Sequence, residues 1–244
     1  MKRLIVTALF FVVTLTFTAS NCFAQSASRE ELLKELQAKR TELALLEKQF
    51  LAPAAEDRSG YAEFLSQPDT GLIRLLPRET YDSDVNKKTK SLTIRGGGAY
   101  YSFARLTHEY GYGSDLGLES GYFSVGFAGA DYGMLVNIGD LPLEQITLEH
   151  PSVRYLSAYT PPANEPNARQ EARQFGKGLT VAEVRYQERL PVEVNSTYLL
   201  RSIGYSTSDV LVAFKVVRQD SDGSVIILWK LLKKYPVPEL ARAN

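Results

Sequence analysis

Cysteine is nearly absent from the sequence: Cys22 is the only one among 244 residues. It lies within the first 24 residues, a segment whose pattern predicts removal from the mature protein. A cysteine-free mature chain excludes disulfide bonds, cysteine-ligated metal sites and thiol catalysis. Small exported domains often need disulfides, but a chain of about 220 residues can bury a sufficient core without them.

An excess of charge of either sign is also absent. The chain has 28 basic and 28 acidic residues, and loss of Lys2 and Arg3, with no acid, leaves 26 basic residues against 28 acidic ones. This balance predicts neither the basic footprint of a nucleic-acid-binding protein nor a polybasic patch for anionic lipids. We therefore expect no nucleic-acid partner.

Residues 1–24 have the pattern of a secretory signal peptide. Two basic residues precede an apolar run over 4–17, and the small residues Cys22 and Ala24 stand at −3 and −1 before Gln25. We expect cleavage before Gln25 and export by a bacterium, to the periplasm or to the outside. After cleavage we expect no stable insertion into a membrane.

Two alternatives remain for this segment. A membrane anchor needs about 20 apolar residues, whereas this run is shorter and is followed by Ser20 and Asn21 with no basic cluster. A lipoprotein would carry its acyl chains on Cys22. Asn21 directly before that cysteine and Ala19 three residues before it fit such a signal poorly.

The next segment predicts an amphipathic helix that begins at Ser26 and ends at Leu51. Ser28 and Glu31 have the spacing of a capping box, and strong helix formers follow. Apolar residues at the 4-3 spacing of a coiled-coil seam are Leu32, Leu36, Leu43, Leu46 and Phe50, with Lys39 as the polar seam position. An isolated helix of this length is marginal in water, so we expect either a homodimer through this helix or packing onto its own domain.

Beyond residue 52 the pattern changes to alternation with a period of two, which is typical of strands. We expect a linker over 53–60, an antiparallel β-rich domain over 61–238 and a frayed tail over 239–244. The predicted strands are 71–76, 91–95, 99–109, 123–127, 132–138, 145–148, 153–159 and 181–186. A short helix is predicted over 164–175, with Asn164 as its cap and Gly176 after its end.

The last third of the domain predicts three successive strands over 197–205, 209–218 and 224–235. The segments 210–214 and 225–229 are apolar on both faces, so we expect central strands that are covered on both sides. Gly223 suits the left-handed position of the turn between them. The predicted fold is mainly β: an antiparallel β-sandwich or open barrel with one short helix and the N-terminal amphipathic helix.

The sequence contains no complete catalytic motif. His108 and His150 are the only histidines, and neither lies in an H-E-x-x-H or accompanies a G-x-S-x-G motif. Paired carboxylates, as glycosidases use, stay open because their partners lie far apart in a chain; Glu119, Asp131 and Asp140 flank the aromatic region. We predict no catalytic residue, no metal site and no cofactor.

Aromatic residues are concentrated between residues 100 and 132, with many glycines among them. Tyrosine offers a large contact area at low entropic cost, so this composition suits a binding surface; it also suits aromatic strands that fill a core. The predicted ligand-binding residues are Tyr100, Tyr101, Tyr110, Tyr112, Tyr122 and Tyr132.

Two classes of function follow from these observations. The first is a non-catalytic binding or scaffolding β domain of the bacterial envelope or secreted fraction, with an unknown envelope partner. The second is a hydrolase that acts on an envelope polysaccharide through paired carboxylates. A filled or flat domain favours the first class, and a pocket with two convergent carboxylates favours the second.

Overall fold

The computed structural model describes residues 28–81, 98–127 and 129–241. It divides the chain into two compact units, Met1–Ala44 and Leu45–Asn244. The predicted signal peptide, its cleavage point before Gln25 and the predicted strand 91–95 lie outside the described residues.

The longest helix among the described residues is α1 (Arg29–Phe50), which confirms the predicted N-terminal helix. Its capping box forms as predicted: the Ser28 N–H donates to Glu31 Oε2 at 2.7 Å, and the Glu31 N–H donates to Ser28 Oγ at 3.2 Å. None of its 22 residues is buried. The four leucines at heptad positions of α1 are exposed, and the ring of Phe50 at its end lies 5.9 Å from the ring of Tyr81, centroid to centroid.

The main sheet of the second unit has five antiparallel strands in the order β1-β12-β11-β10-β6. The three strands predicted near the C-terminus are its inner strands, and Leu200 of the first of them pairs with Leu135 on one side and Val212 on the other. The bounds are β1 (Thr70–Leu75), β6 (Tyr132–Asn137), β10 (Thr197–Gly204), β11 (Ser208–Gln219) and β12 (Val225–Lys234).

A second antiparallel sheet has the order β3-β2-β4-β5-β9. Its short strands are β2 (Tyr100–Ser102), β3 (Thr107–His108), β4 (Leu116–Glu119), β5 (Tyr122–Ser124) and β9 (Arg189–Pro191). A separate hairpin joins β7 (Leu179–Val181) to β8 (Val184–Tyr186). The second sheet packs onto one face of the main sheet, because Phe123 of one and Phe214 of the other belong to the same buried cluster.

Helices cover the opposite face of the main sheet. There Phe64, Leu156 and Phe175 pack with the strand residues Leu199 and Leu211 in a second buried cluster. The other helices in the described part of the chain are α2 (Ala55–Gly60), α3 (Ala62–Leu65), α4 (Arg78–Tyr81), α5 (Pro151–Ala158) and α6 (Glu165–Lys177), and Leu143–Gln145 forms a 3₁₀ turn. The main sheet is thus covered on both sides, as the two-faced apolar strands predict.

Helix and strand contribute similar shares of the described residues, 31% and 32%. The antiparallel pairing is confirmed, but the fold is mixed rather than mainly β. No sheet closes into a barrel within the described residues.

Four predicted strands differ from the structure. Two of them, 99–109 and 181–186, are each divided by a turn, the first into β2 and β3 and the second between β7 and β8. The other two are not strands. Residues 153–159 fall in α5, where Pro151 occupies the first turn and His150 Nδ1 accepts from the Ser152 N–H at 3.3 Å. Val153 and Leu156, three residues apart, face the core, so helical packing overrides the β propensity of the segment. In the segment 145–148, Gln145 ends the 3₁₀ turn and the next three residues form no strand.

The turn between β11 and β12 has the conformation that its sequence predicts. Gly223 has a φ of +87°, a conformation that glycine adopts without strain. Glycine is needed at Gly71 for another reason: a Cβ there would lie 2.5 Å from the ring of Trp229. Gly71 therefore allows β1 to pair with β12 directly beside the Trp229 ring.

The described parts of the two segments expected to be irregular, 53–60 and 239–241, make specific contacts. The linker 53–60 contains α2, and Asp57 at its centre pairs with Arg218. In the tail, the Ala241 N–H donates to the Ala163 carbonyl at 2.6 Å and Ser206 Oγ donates to Glu239 Oε2 at 2.7 Å. Long-range polar contacts of this kind have no local signal in the sequence.

Candidate functional site

The six tyrosines predicted to bind a ligand occupy different environments. Tyr100, Tyr101 and Tyr132 are buried, with 2%, 6% and 2% of their surface exposed. Tyr110 is half-buried, whereas Tyr112 and Tyr122 are 54% and 42% exposed. The structure therefore does not bring the six side chains together on one open surface.

Tyr100 lies in a polar cluster with Glu119 and Arg78. The Tyr100 hydroxyl donates to Glu119 Oε1, and Arg78 Nη1 lies 2.5 Å from the same oxygen. Burial alone would raise the pKa of the Glu119 carboxyl, but these two donors together lower it. Glu119 is therefore held in its ionised form as a structural acceptor.

The two exposed tyrosines are each tied to a neighbour. The Arg189 guanidinium lies 4.4 Å from the centroid of the Tyr122 ring, a cation–π distance. The Tyr112 hydroxyl donates to the Tyr205 carbonyl at 2.9 Å. Their exposed surfaces lie on separate elements, strand β5 and the loop that follows β3.

A cleft of about 380 Å³ opens beside the C-terminal end of strand β12, the last strand of the main sheet. One wall is the segment 157–163, which ends α5 and continues through Pro161 and Pro162. The other wall is the segment 235–239, which follows β12 and includes Pro236 and Pro238. This cleft is the candidate binding site.

The cleft floor contains an ion pair that is almost fully buried. Arg201 of β10 and Asp209 of β11 are 1% and 2% exposed. Both Asp209 oxygens accept from the guanidinium, at Nε and, at 2.8 Å, Nη2. Nη1 donates to the Leu156 carbonyl at 2.7 Å, and the guanidinium carbon lies 3.3 Å from the centroid of the Tyr235 ring. A bidentate, stacked arrangement offsets part of the desolvation of both charges.

The charge state of Asp209 follows from two opposing effects. Burial raises the pKa of its carboxyl, and the Arg201 guanidinium opposes that shift. Because both carboxylate oxygens already accept from Arg201, neither is available as a general base or nucleophile without breaking the pair.

Two hydrogen bonds to backbone carbonyls, one from a side chain and one from the backbone, hold the two walls in place. The Tyr205 hydroxyl donates to the Pro162 carbonyl at 2.7 Å, and the Ser206 N–H donates to the Pro238 carbonyl at 2.9 Å. The walls thus have a fixed separation, since both are bonded to the turn between β10 and β11.

A chain of hydroxyl contacts leads away from the cleft. The hydroxyls of Tyr159 and Tyr132 lie 2.6 Å apart, and the Tyr159 hydroxyl donates to Glu171 Oε2 at 3.0 Å. Burial raises the pKa of both tyrosines. Tyr132, one of the predicted ligand-binding residues, therefore lies behind the cleft lining, in contact with Tyr159 and with Tyr205.

The three carboxylates considered for hydrolysis have separate partners. Asp131 accepts from the Tyr205 N–H at 2.9 Å, and burial raises its pKa to about 6. Asp140 pairs with Lys215 at 2.5 Å, and Glu119 belongs to the cluster around Tyr100. The cavity beside Asp131 has a volume of only about 10 Å³, which admits a water molecule but not a sugar ring.

Both histidines have structural contacts. His108 Nε2 lies 2.7 Å from the Arg74 carbonyl oxygen, and burial lowers the pKa of its ring. His150 caps α5. Among the described residues, no group of three or more His, Cys, Asp or Glu side chains is placed to hold a metal ion.

The sequence interpretation missed the Arg201–Asp209 pair, although a signal was present. Arg201 is the one charged residue in the segment 197–204, whose neighbouring residues include Tyr198, Leu199, Leu200 and Ile203. A charge in such a strand needs a buried partner, and Asp209, at the start of the next strand, is the nearest acid along the hairpin.

Comparisons with known proteins find no matching family model, no matching curated protein and no matching solved structure. No helix in the described ranges is long and apolar enough to cross a membrane. The functional argument therefore depends on the contacts of this chain alone.

Proposed function

We propose that this chain is an exported, non-catalytic binding or scaffolding protein of a bacterial envelope or secreted fraction. Its β domain is a two-sheet sandwich with helices on one outer face, and α1 pairs with α1 of a second copy. Two domains held side by side would bind a repetitive partner with avidity.

The observation that carries this proposal is the exposure of the α1 seam. Leu32, Leu36, Leu43, Leu46 and Phe50 are 48%, 51%, 41%, 55% and 41% exposed in the single chain. Exposed large apolar residues on one helical stripe favour a partner surface. A second copy presents a matching stripe, because a twofold interface uses the same surface from both subunits.

The binding class is favoured over hydrolysis by the state of the carboxylates. Asp209, the buried acid in the cleft, already has both oxygens bonded to Arg201. Asp131 has the raised pKa of a general acid, which is an observation in favour of the polysaccharide hydrolase. It adjoins a cavity of only about 10 Å³, so an envelope polysaccharide has no room beside it.

Export is supported by the signal-peptide pattern of residues 1–24. Intact-mass measurement of the protein recovered from the periplasm or medium tests this part of the proposal. We expect a chain that begins at Gln25 or within a few residues of it. Recovery of the uncleaved chain in a species that requires detergent would contradict export with cleavage.

The pairing of α1 is tested by substitution of two seam residues. Leu36→Asp with Leu43→Asp places two charges in the seam, and we expect loss of the dimer with an unchanged fold of the β domain. The matched control is Ala38→Asp with Leu45→Asp, which adds the same charge at positions two residues after each seam site. Light scattering after size exclusion should find a dimer for the control and a monomer for the seam variant.

A further inference from the structure

We draw no further inference here: the strongest candidate, the cavity of about 10 Å³ that adjoins Asp131 at the turn between β10 and β11, has room for one water molecule or one small ion, and no feature of the described residues beyond its acidic and hydroxyl lining points to a bound cation.

Discussion

Helix α1 and strand β10 are both rich in leucine, yet their surroundings are opposite. All eight residues of β10 are buried, and none of the 22 residues of α1 is. The strand has a neighbour on each side and a packed layer on each face. Composition alone therefore does not decide burial. An element is buried when other parts of the chain cover its edges and its faces.

The difference also separates apolar residues that the domain buries by itself from those that need a partner to cover them. The main sheet completes its core within Leu45–Asn244, where its apolar residues form two buried clusters. An isolated amphipathic helix gains most of its stability from tertiary or quaternary packing. Three sets of variants test this contrast. The first two have equally large expected effects, and the third has a small one.

The first is Trp229→Ala, compared with Leu33→Ala. Trp229 is 4% exposed and its ring centroid lies 5.3 Å from that of Phe103, whereas Leu33 on α1 is 58% exposed. We expect Trp229→Ala to lower the free energy of unfolding by about 3–5 kcal/mol. Leu33→Ala should leave the unfolding of the β domain unchanged. Urea denaturation with a constant m value measures both, and a loss below about 1 kcal/mol for Trp229→Ala would contradict its place in the core.

The second substitution breaks the buried ion pair. Asp209→Ala leaves the Arg201 charge uncompensated in the sheet interior, and we expect a loss of about 3–5 kcal/mol in the free energy of unfolding. The double variant Arg201→Met with Asp209→Leu removes both charges and should recover much of that loss. If the double variant were no more stable than Asp209→Ala, uncompensated charge would not be the cause.

The third is Asp131→Asn, which tests a half-buried carboxyl directly before strand β6. Because burial raises the folded pKa of this carboxyl from 3.8 to about 6, the folded state binds its proton more tightly. The stabilisation is fully present below about pH 3.8 and is lost as the pH rises through about 6. Asp131 is half-buried, so we expect the variant to gain only about 1 kcal/mol over the wild type between pH 4 and pH 8.

Chemical denaturation at several pH values measures this gain. A difference between variant and wild type that does not change with pH would show that Asp131 titrates at its ordinary pKa. The amide of the variant keeps an oxygen that can accept from the Tyr205 N–H, so the backbone contact is preserved in the comparison.

Much of the architecture could be predicted because its signals are local. The apolar runs of β11 and β12 and the Asn164 cap of α6 each depend on a few adjacent residues. Helix α5 was missed because its β-branched and aromatic residues resemble a strand, and its helical packing depends on a distant sheet.

The candidate site was less predictable than the fold. The cleft brings together segments around Pro161, Arg201 and Pro236, which only the topology of the sheet and the final turn bring close. The aromatic region was the strongest compositional signal, but Tyr100, Tyr101 and Tyr132 pack into the interior. Aromatic residues in short strands fill a core as readily as they form a surface.

The central claim is that the β domain buries its own apolar core, whereas the apolar stripe of α1 needs a second copy to cover it. Sedimentation equilibrium of the mature chain at tens of micromolar tests this most directly. The account predicts a reversible dimer whose share rises with protein concentration, because the exposed α1 seam is buried against a second copy. A monomer at every concentration would contradict it and would show that the exposed leucines of α1 need no second copy of this chain.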